Sequence, residues 1–213
     1  MMTVNQHMQQ VLDLIDAHPR DAKRLVLGIS GPPGSGKSTL AETVVAELNR
    51  KAGDDCYAVL LPMDGYHLEN SVLTAQNMLH RKGAPQTFDV TALVSLVKQL
   101  HQYSGTLYFP VFDRTLDTSL PDAGQVNAQT KVVVIEGNYL LLQTPPWNEL
   151  KALLDLTVSI APSLATLEQR LIERWLHHGH TMEAALARVQ NNDLTNARLV
   201  LENSSLPDLQ ISN

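Results

Sequence analysis

The run Gly31-Pro32-Pro33-Gly34-Ser35-Gly36-Lys37-Ser38 sets glycines, a lysine and a hydroxyl at the spacing G-x-x-x-x-G-K-[ST]. Glycines let the backbone curl so that successive N–H groups point inward onto a phosphate. A helix starting at this point adds positive potential. Lys37 is expected to reach the β- and γ-phosphates, and the Ser38 hydroxyl to ligate Mg²⁺. Residues Gly31 to Ser38, with Thr39 next, are therefore predicted to bind a nucleoside triphosphate.

Two carboxylates are candidates to work beside that loop. Asp64 lies in Pro62-Met63-Asp64-Gly65-Tyr66-His67, directly after the apolar run Cys56-Tyr57-Ala58-Val59-Leu60-Leu61. Open α/β sheets place ligand-binding residues at the carboxyl ends of their strands. Asp64 could alternatively be a turn or capping residue; its position one strand after the phosphate loop favours a functional role. Glu136 ends the most apolar run of the chain, Lys131-Val132-Val133-Val134-Ile135-Glu136-Gly137. A buried strand seldom ends in an unpaired carboxylate without a reason. Glu136 is predicted on the Mg²⁺ side, directly or through water.

Other residues could complete a site. Arg170 and Arg174 are four apart, hence neighbours on one helix. They are either solubilising charges or a lid that clamps a transferring phosphate, and beside a phosphate loop the lid is favoured. Arg81 and Lys82 by themselves are solvated charges. Asp89 either caps the helix that follows or touches a substrate. Leu107-Tyr108-Phe109-Pro110-Val111-Phe112-Asp113-Arg114 gathers aromatics beside a charged pair, which suits a sugar-like ligand or a local mini-core. His177, His178 and His180 lack the partners of a zinc site and read as exposed turn residues.

These groups need elements to hold them. Val11, Leu12, Leu14 and Ile15 predict a leading helix over about 5–17. Leu25 to Ser30 is a buried strand, followed after the loop by an amphipathic helix. The runs at 56–61, 131–137 and 153–160 are further buried strands. Leu93, Leu96, Val97 and Leu100 give 90–102 an apolar helical face. Residues 115–130 read as a polar loop. A lid is expected over about 163–180, a last helix over 181–191, and closing strands or a hairpin at 199–201 and 209–211. Cys56 is expected to be a small buried hydrophobe.

The 213 residues suit one α/β domain spanning 1–213. The net charge of -6 argues against a nucleic-acid surface as the main activity. A single cysteine fits a reducing compartment. No stretch is apolar enough to span a bilayer and no signal peptide is evident, so a cytoplasmic location without membrane partners is expected.

The stretches GPPGSGKST, MDGYHL, RKGAPQTFD, YFPVFDR, VVVIEGNYLLL and RWLHHGHTMEAALARVQNNDLTNARLV together resemble the P-loop small-molecule kinases that include uridine kinase, pantothenate kinase and phosphoribulokinase. The combination is most similar to the branch labelled as fructose-transport-system kinases. The resemblance implies a P-loop NTPase fold: a doubly wound, mainly parallel sheet with helices on both faces and an Arg-bearing lid. It implies that Asp64 accepts the proton of the substrate hydroxyl and that Glu136 is the Mg²⁺-associated acid. Lys37, Arg174 and Arg170 would then act on the transferring phosphate. Tyr66, His67, Arg81, Asp89, Tyr108, Asp113 and Arg114 would line the acceptor pocket, and Asn192, Asn196 and Arg198 would fall near the nucleotide base. Such kinases are often oligomeric, which makes a homodimer an expectation.

The sequence therefore predicts an ATP- and Mg²⁺-dependent kinase that phosphorylates a hydroxyl of a small-molecule acceptor, a sugar such as fructose. Uridine or another nucleoside, and pantothenate, are alternative acceptors. A nucleotide-dependent switch or assembly ATPase is the rival of a different class. The Asn-Lys-x-Asp segment that a guanine-reading switch needs does not occur.

Overall fold

The computed structural model describes residues 3–19 and 24–212. Among these residues seven strands form: β1 (Leu25–Ser30), β2 (Ala58–Pro62), β3 (Leu107–Asp113), β4 (Thr118–Val126), β5 (Val132–Gly137), β6 (Leu156–Ile160) and β7 (Leu209–Ile211). The helices are α1 (Val4–Ala17), α2 (Lys37–Ala52), α3 (Asn70–Ala75), α4 (Val90–Gln102), α5 (Leu164–His177), α6 (Met182–Arg188) and α7 (Leu194–Asn203).

Five strands make a parallel sheet in the order β2-β5-β1-β6-β7. Strands buried on both faces must be apolar at consecutive positions. Alternate residues of β5 show why. Val133 and Ile135 join a core with Leu93, Val97 and Leu100 of α4. Val132 and Val134 join the opposite core, with Val11 and Leu12 of α1 and Val44 of α2. Helices thus cover both faces of an α/β sheet, as expected. Among the described residues no helix is long and apolar enough to cross a membrane.

Several local expectations are corrected. Residues 115–130 are not a loop: Thr118–Val126 pairs antiparallel with β3 to make a separate hairpin. Its polar composition follows from its exposure, since a two-stranded ribbon beside the sheet buries little of its second strand. Leu199, Val200 and Leu201 belong to α7 rather than to a strand, and Val200 is buried. Cys56 is exposed, because β2 begins only at Ala58.

Candidate active site

The loop between β1 and α2 turns through two left-handed glycines, Gly34 at φ 79° and Gly36 at φ 91°. A side chain at either position would be strained. Gly36 caps α2 without a side-chain hydrogen bond, so the first N–H groups of α2 stay free for an anion. Lys37 opens that helix. Burial pushes its ammonium below the ordinary value, while Glu136 and Asp64 pull it back up.

Strand register brings the two carboxylates to this loop. In the sheet, Glu136 aligns with Ile29 of β1 on one side and with Pro62 of β2 on the other. Ser38 Oγ donates to Glu136 Oε2 at 3.2 Å. Burial raises the Glu136 carboxyl, nearby Lys37 opposes the rise, and the like charge of Asp64 adds to it. Ser38 and Glu136 are the oxygen pair here that could hold a divalent cation.

Asp64 sits in the 3₁₀ turn Met63–Tyr66 that leaves β2. The turn lies so close to the β3–β4 hairpin that a Cβ on Gly65 would fall 2.0 Å from the Pro110 carbonyl oxygen. Only glycine permits that approach, and it brings Arg114, just past β3, within reach of Asp64. Arg114 Nη2 donates to Asp64 Oδ2 at 3.0 Å. His67 Nδ1 lies 2.8 Å from the Asp64 carbonyl oxygen, and its ring packs against Phe88 and Phe112 at centroid distances of 4.1 and 4.8 Å.

The third wall comes from the C-terminal helices. A π-helical turn, Val189–Asp193, joins α6 to α7 and buries Asn192 and Asp193. Trp175 of α5 donates from Nε1 to Asp193 Oδ2 at 2.6 Å, and the Arg188 guanidinium lies 4.1 Å from the centre of the Trp175 ring. Arg174 reaches the same space. Burial pushes its guanidinium down, and the neighbouring Arg114 charge acts in the same direction. Burial pushes the Asp193 carboxyl up, opposed by the Trp175 hydrogen bond.

A cavity of about 380 Å³ is enclosed by these walls. It brings together Pro33, Gly34, Gly36, Lys37, Ser38, Thr39, Asp64, His67, Arg114 and Arg174 of the expected residues. Glu136 reaches it through Ser38. Gly31 and Pro32 are buried within the loop, and Ser35 is buried with a hydroxyl that has no hydrogen-bond partner among the described residues.

The remaining expected residues point elsewhere. Arg170 donates to the Gly34 and Ser35 carbonyls, each at 3.4 Å, and lines a smaller cavity behind the loop. A helix turn separates the two arginines enough that only Arg174 enters the main cavity. Arg81 donates to the Asn191 carbonyl at 3.0 Å. Asp89 caps α4, accepting from the Ala92 amide at 2.9 Å, and faces a separate groove. Asp113 accepts from the Thr115 and Leu116 amides and so shapes the hairpin turn. Tyr108 is exposed on the ribbon, and Tyr66 is buried in the apolar core.

The sequence reading missed Lys82, Phe112, Asp117, Trp175, Arg188 and Asp193 as cavity residues. Lys82 stood beside a glycine and a proline, the one local hint that it was not an ordinary surface charge. Asn138 and Asn196 also line the cavity; Arg198 is exposed and does not.

The Phosphoribulokinase / Uridine kinase family matches residues 26–198. The chain is 35% identical over 204 residues to the protein YggC of Escherichia coli (strain K12), covering 95% of this chain and 82% of that one. It is 31% identical over 194 residues to a uridine kinase candidate of Schizosaccharomyces pombe, covering 88% of this chain and 82% of that one. A solved structure from Silicibacter sp. TM1040, named as a candidate fructose transport system kinase, matches with a TM-score of 0.87 at 39% identity over 99% of both chains. The chain therefore belongs to the phosphoribulokinase/uridine kinase family and is an ATP-dependent P-loop kinase, a phosphotransferase with an alcohol acceptor.

Proposed function

We propose that this kinase transfers the γ-phosphate of ATP, with Mg²⁺, to a hydroxyl of a small sugar, with fructose the first acceptor to test. The observation that carries this reading is Asp64: a carboxylate at the carboxyl end of β2, in one cavity with Lys37 and Ser38, held at 3.0 Å by Arg114. A carboxylate so placed can orient a hydroxyl and take its proton as the phosphoryl group moves. Lys37 and Arg174 supply fixed positive charge where charge spreads over the transferring group. Ser38 and Glu136 would hold Mg²⁺, whose charge would help neutralise the phosphates. Closure of α5 and α6 over the cavity would exclude water and suppress hydrolysis. Fructose is favoured by the name of the Silicibacter protein, matched over 99% of both chains.

The experiment is ADP release from MgATP with and without D-fructose, uridine, pantothenate and glycerate. The kinase reading expects little hydrolysis alone and a clear increase with one acceptor. Steady hydrolysis that no acceptor changes would favour a nucleotide switch instead.

A further inference from the structure

The smaller cavity behind the phosphate loop has a volume of about 210 Å³. Helix α1 supplies one of its walls. Val11, Leu12 and Ile15 of that helix are buried in the core. His7, one turn before Val11, continues the same buried face. There it lines the cavity together with Gly34, Ser35 and Gly36 of the loop, and Arg170 of α5 lines it as well.

The polar groups of this cavity are unsatisfied. His7 is only 5% exposed, and its Nε2 has no hydrogen-bond partner among the described residues. Ser35 is only 1% exposed, and its Oγ has none there either. Buried polar atoms of native proteins are paired in the large majority of cases, so two of them around one small cavity call for a partner that is not protein. Arg170 brings the charge. Its bonds to the Gly34 and Ser35 carbonyls are long, at 3.4 Å, and both leave from Nη1. Nε and Nη2 keep their donors unspent. Among the described residues Arg170 makes no ion pair and no carboxylate lines the cavity. An imidazole N–H, a hydroxyl and a guanidinium all donate to a negative oxygen. A cation would find no anionic ligand here, and water alone would leave the guanidinium uncompensated.

We propose that the cavity behind the loop is a second anion site, which takes a tetrahedral oxyanion: inorganic phosphate or the phosphate group of a small monoester. His7, with its proton on Nε2, and Arg170 donate to it, and Ser35 is the third donor. The site is separate from the one where the free N–H groups of α2 await a triphosphate. The two cavities share Gly34, Gly36 and Thr39, so the anion and the nucleotide lie against one loop. His7 thereby has a binding role that phosphoryl transfer does not use.

The test is calorimetric titration of protein saturated with Mg²⁺ and the β,γ-imido analogue of ATP, so that the nucleotide's own phosphates already fill the front of the loop. Inorganic phosphate probes the free ion and glycerol 2-phosphate a monoester, with chloride at equal ionic strength as the blank. The expected result is saturable binding of a single equivalent of at least one probe. His7→Phe keeps a ring but removes both nitrogens, and should weaken that binding by about tenfold or more. Val4→Glu leaves every donor in place. Val4 lines the cavity, is 44% exposed and opens α1, where an acidic side chain suits the helix N-terminus. Its added negative charge should weaken binding by about fivefold or more. Binding of neither probe would overturn the inference and leave the cavity to water. Binding that either folded variant retains within about twofold would overturn it too, since the anion would then lie elsewhere on the protein.

Discussion

Arg114 and Asp64 are fifty positions apart, yet Arg114 Nη2 donates to Asp64 Oδ2 at 3.0 Å across the cavity. The hairpin that carries Arg114 reaches this point because Gly65 lets its backbone touch the turn after β2. The pair is partly solvated, with the two side chains 58% and 26% exposed. Its value therefore lies in aiming the carboxylate rather than in holding the fold. Arg114→Met is expected to lower kcat by roughly 10- to 100-fold, since misplacing a reacting group by an ångström can cost that much. Its unfolding free energy should change by less than about 1 kcal/mol. Steady-state kinetics and urea unfolding on the same variant check both halves.

Arg170 and Arg174 share a helix but reach different cavities. Arg174 enters the main cavity, whereas Arg170 binds loop carbonyls from behind. Arg174→Ala should lower kcat by about 10³-fold or more, the scale of an arginine that neutralises charge in the transition state. Arg170→Ala should instead weaken ATP binding and stability modestly, by about 1 kcal/mol, through loss of long hydrogen bonds. Comparing kcat and the ATP KM of the two variants separates these outcomes.

Glu136 gives a pH signature without nucleotide. Burial raises its carboxyl above the ordinary value, so the folded protein holds this proton more tightly than the unfolded chain does. The stabilisation from protonated Glu136 is full below the ordinary carboxylate range. It is lost as pH rises through the raised value, because the unfolded chain ionises there more readily. Glu136→Gln should flatten this part of the stability curve. Unfolding of nucleotide-free protein between about pH 4 and 8 measures it.

The phosphate-loop side of the cavity was legible because its sequence pattern is local. Gly31 to Thr39 carry spacing, glycines and helix start within nine consecutive residues, and the loop lies where that spacing puts it. Glu136 and Asp64 were legible as strand-end carboxylates because buried apolar strands announce their own carboxyl ends. The opposite side of the cavity was legible only in outline. Lys82 and Asp117 are a pair made by the hairpin, and the polar sequence of β4 hid the strand that brings them together. Trp175, Arg188 and Asp193 meet through a π-helical turn that has no local sequence signature of its own. Asp89, Asp113 and Arg81 were drawn to the site by the family resemblance, but each is engaged instead by backbone amides or a carbonyl. Short polar residues at turns do that work far more often than they bind substrate.

In the proposed reaction Asp64 activates an acceptor hydroxyl beside an intact triphosphate site. Its most direct test measures acceptor-dependent ADP release and MgATP affinity together in Asp64→Asn, with the acceptor found in the screen. The expected result is a fall in kcat of roughly 10²- to 10⁴-fold, the usual contribution of a general base, with MgATP affinity retained. Turnover within a few-fold of the parent, in a variant that folds and binds MgATP, would contradict it.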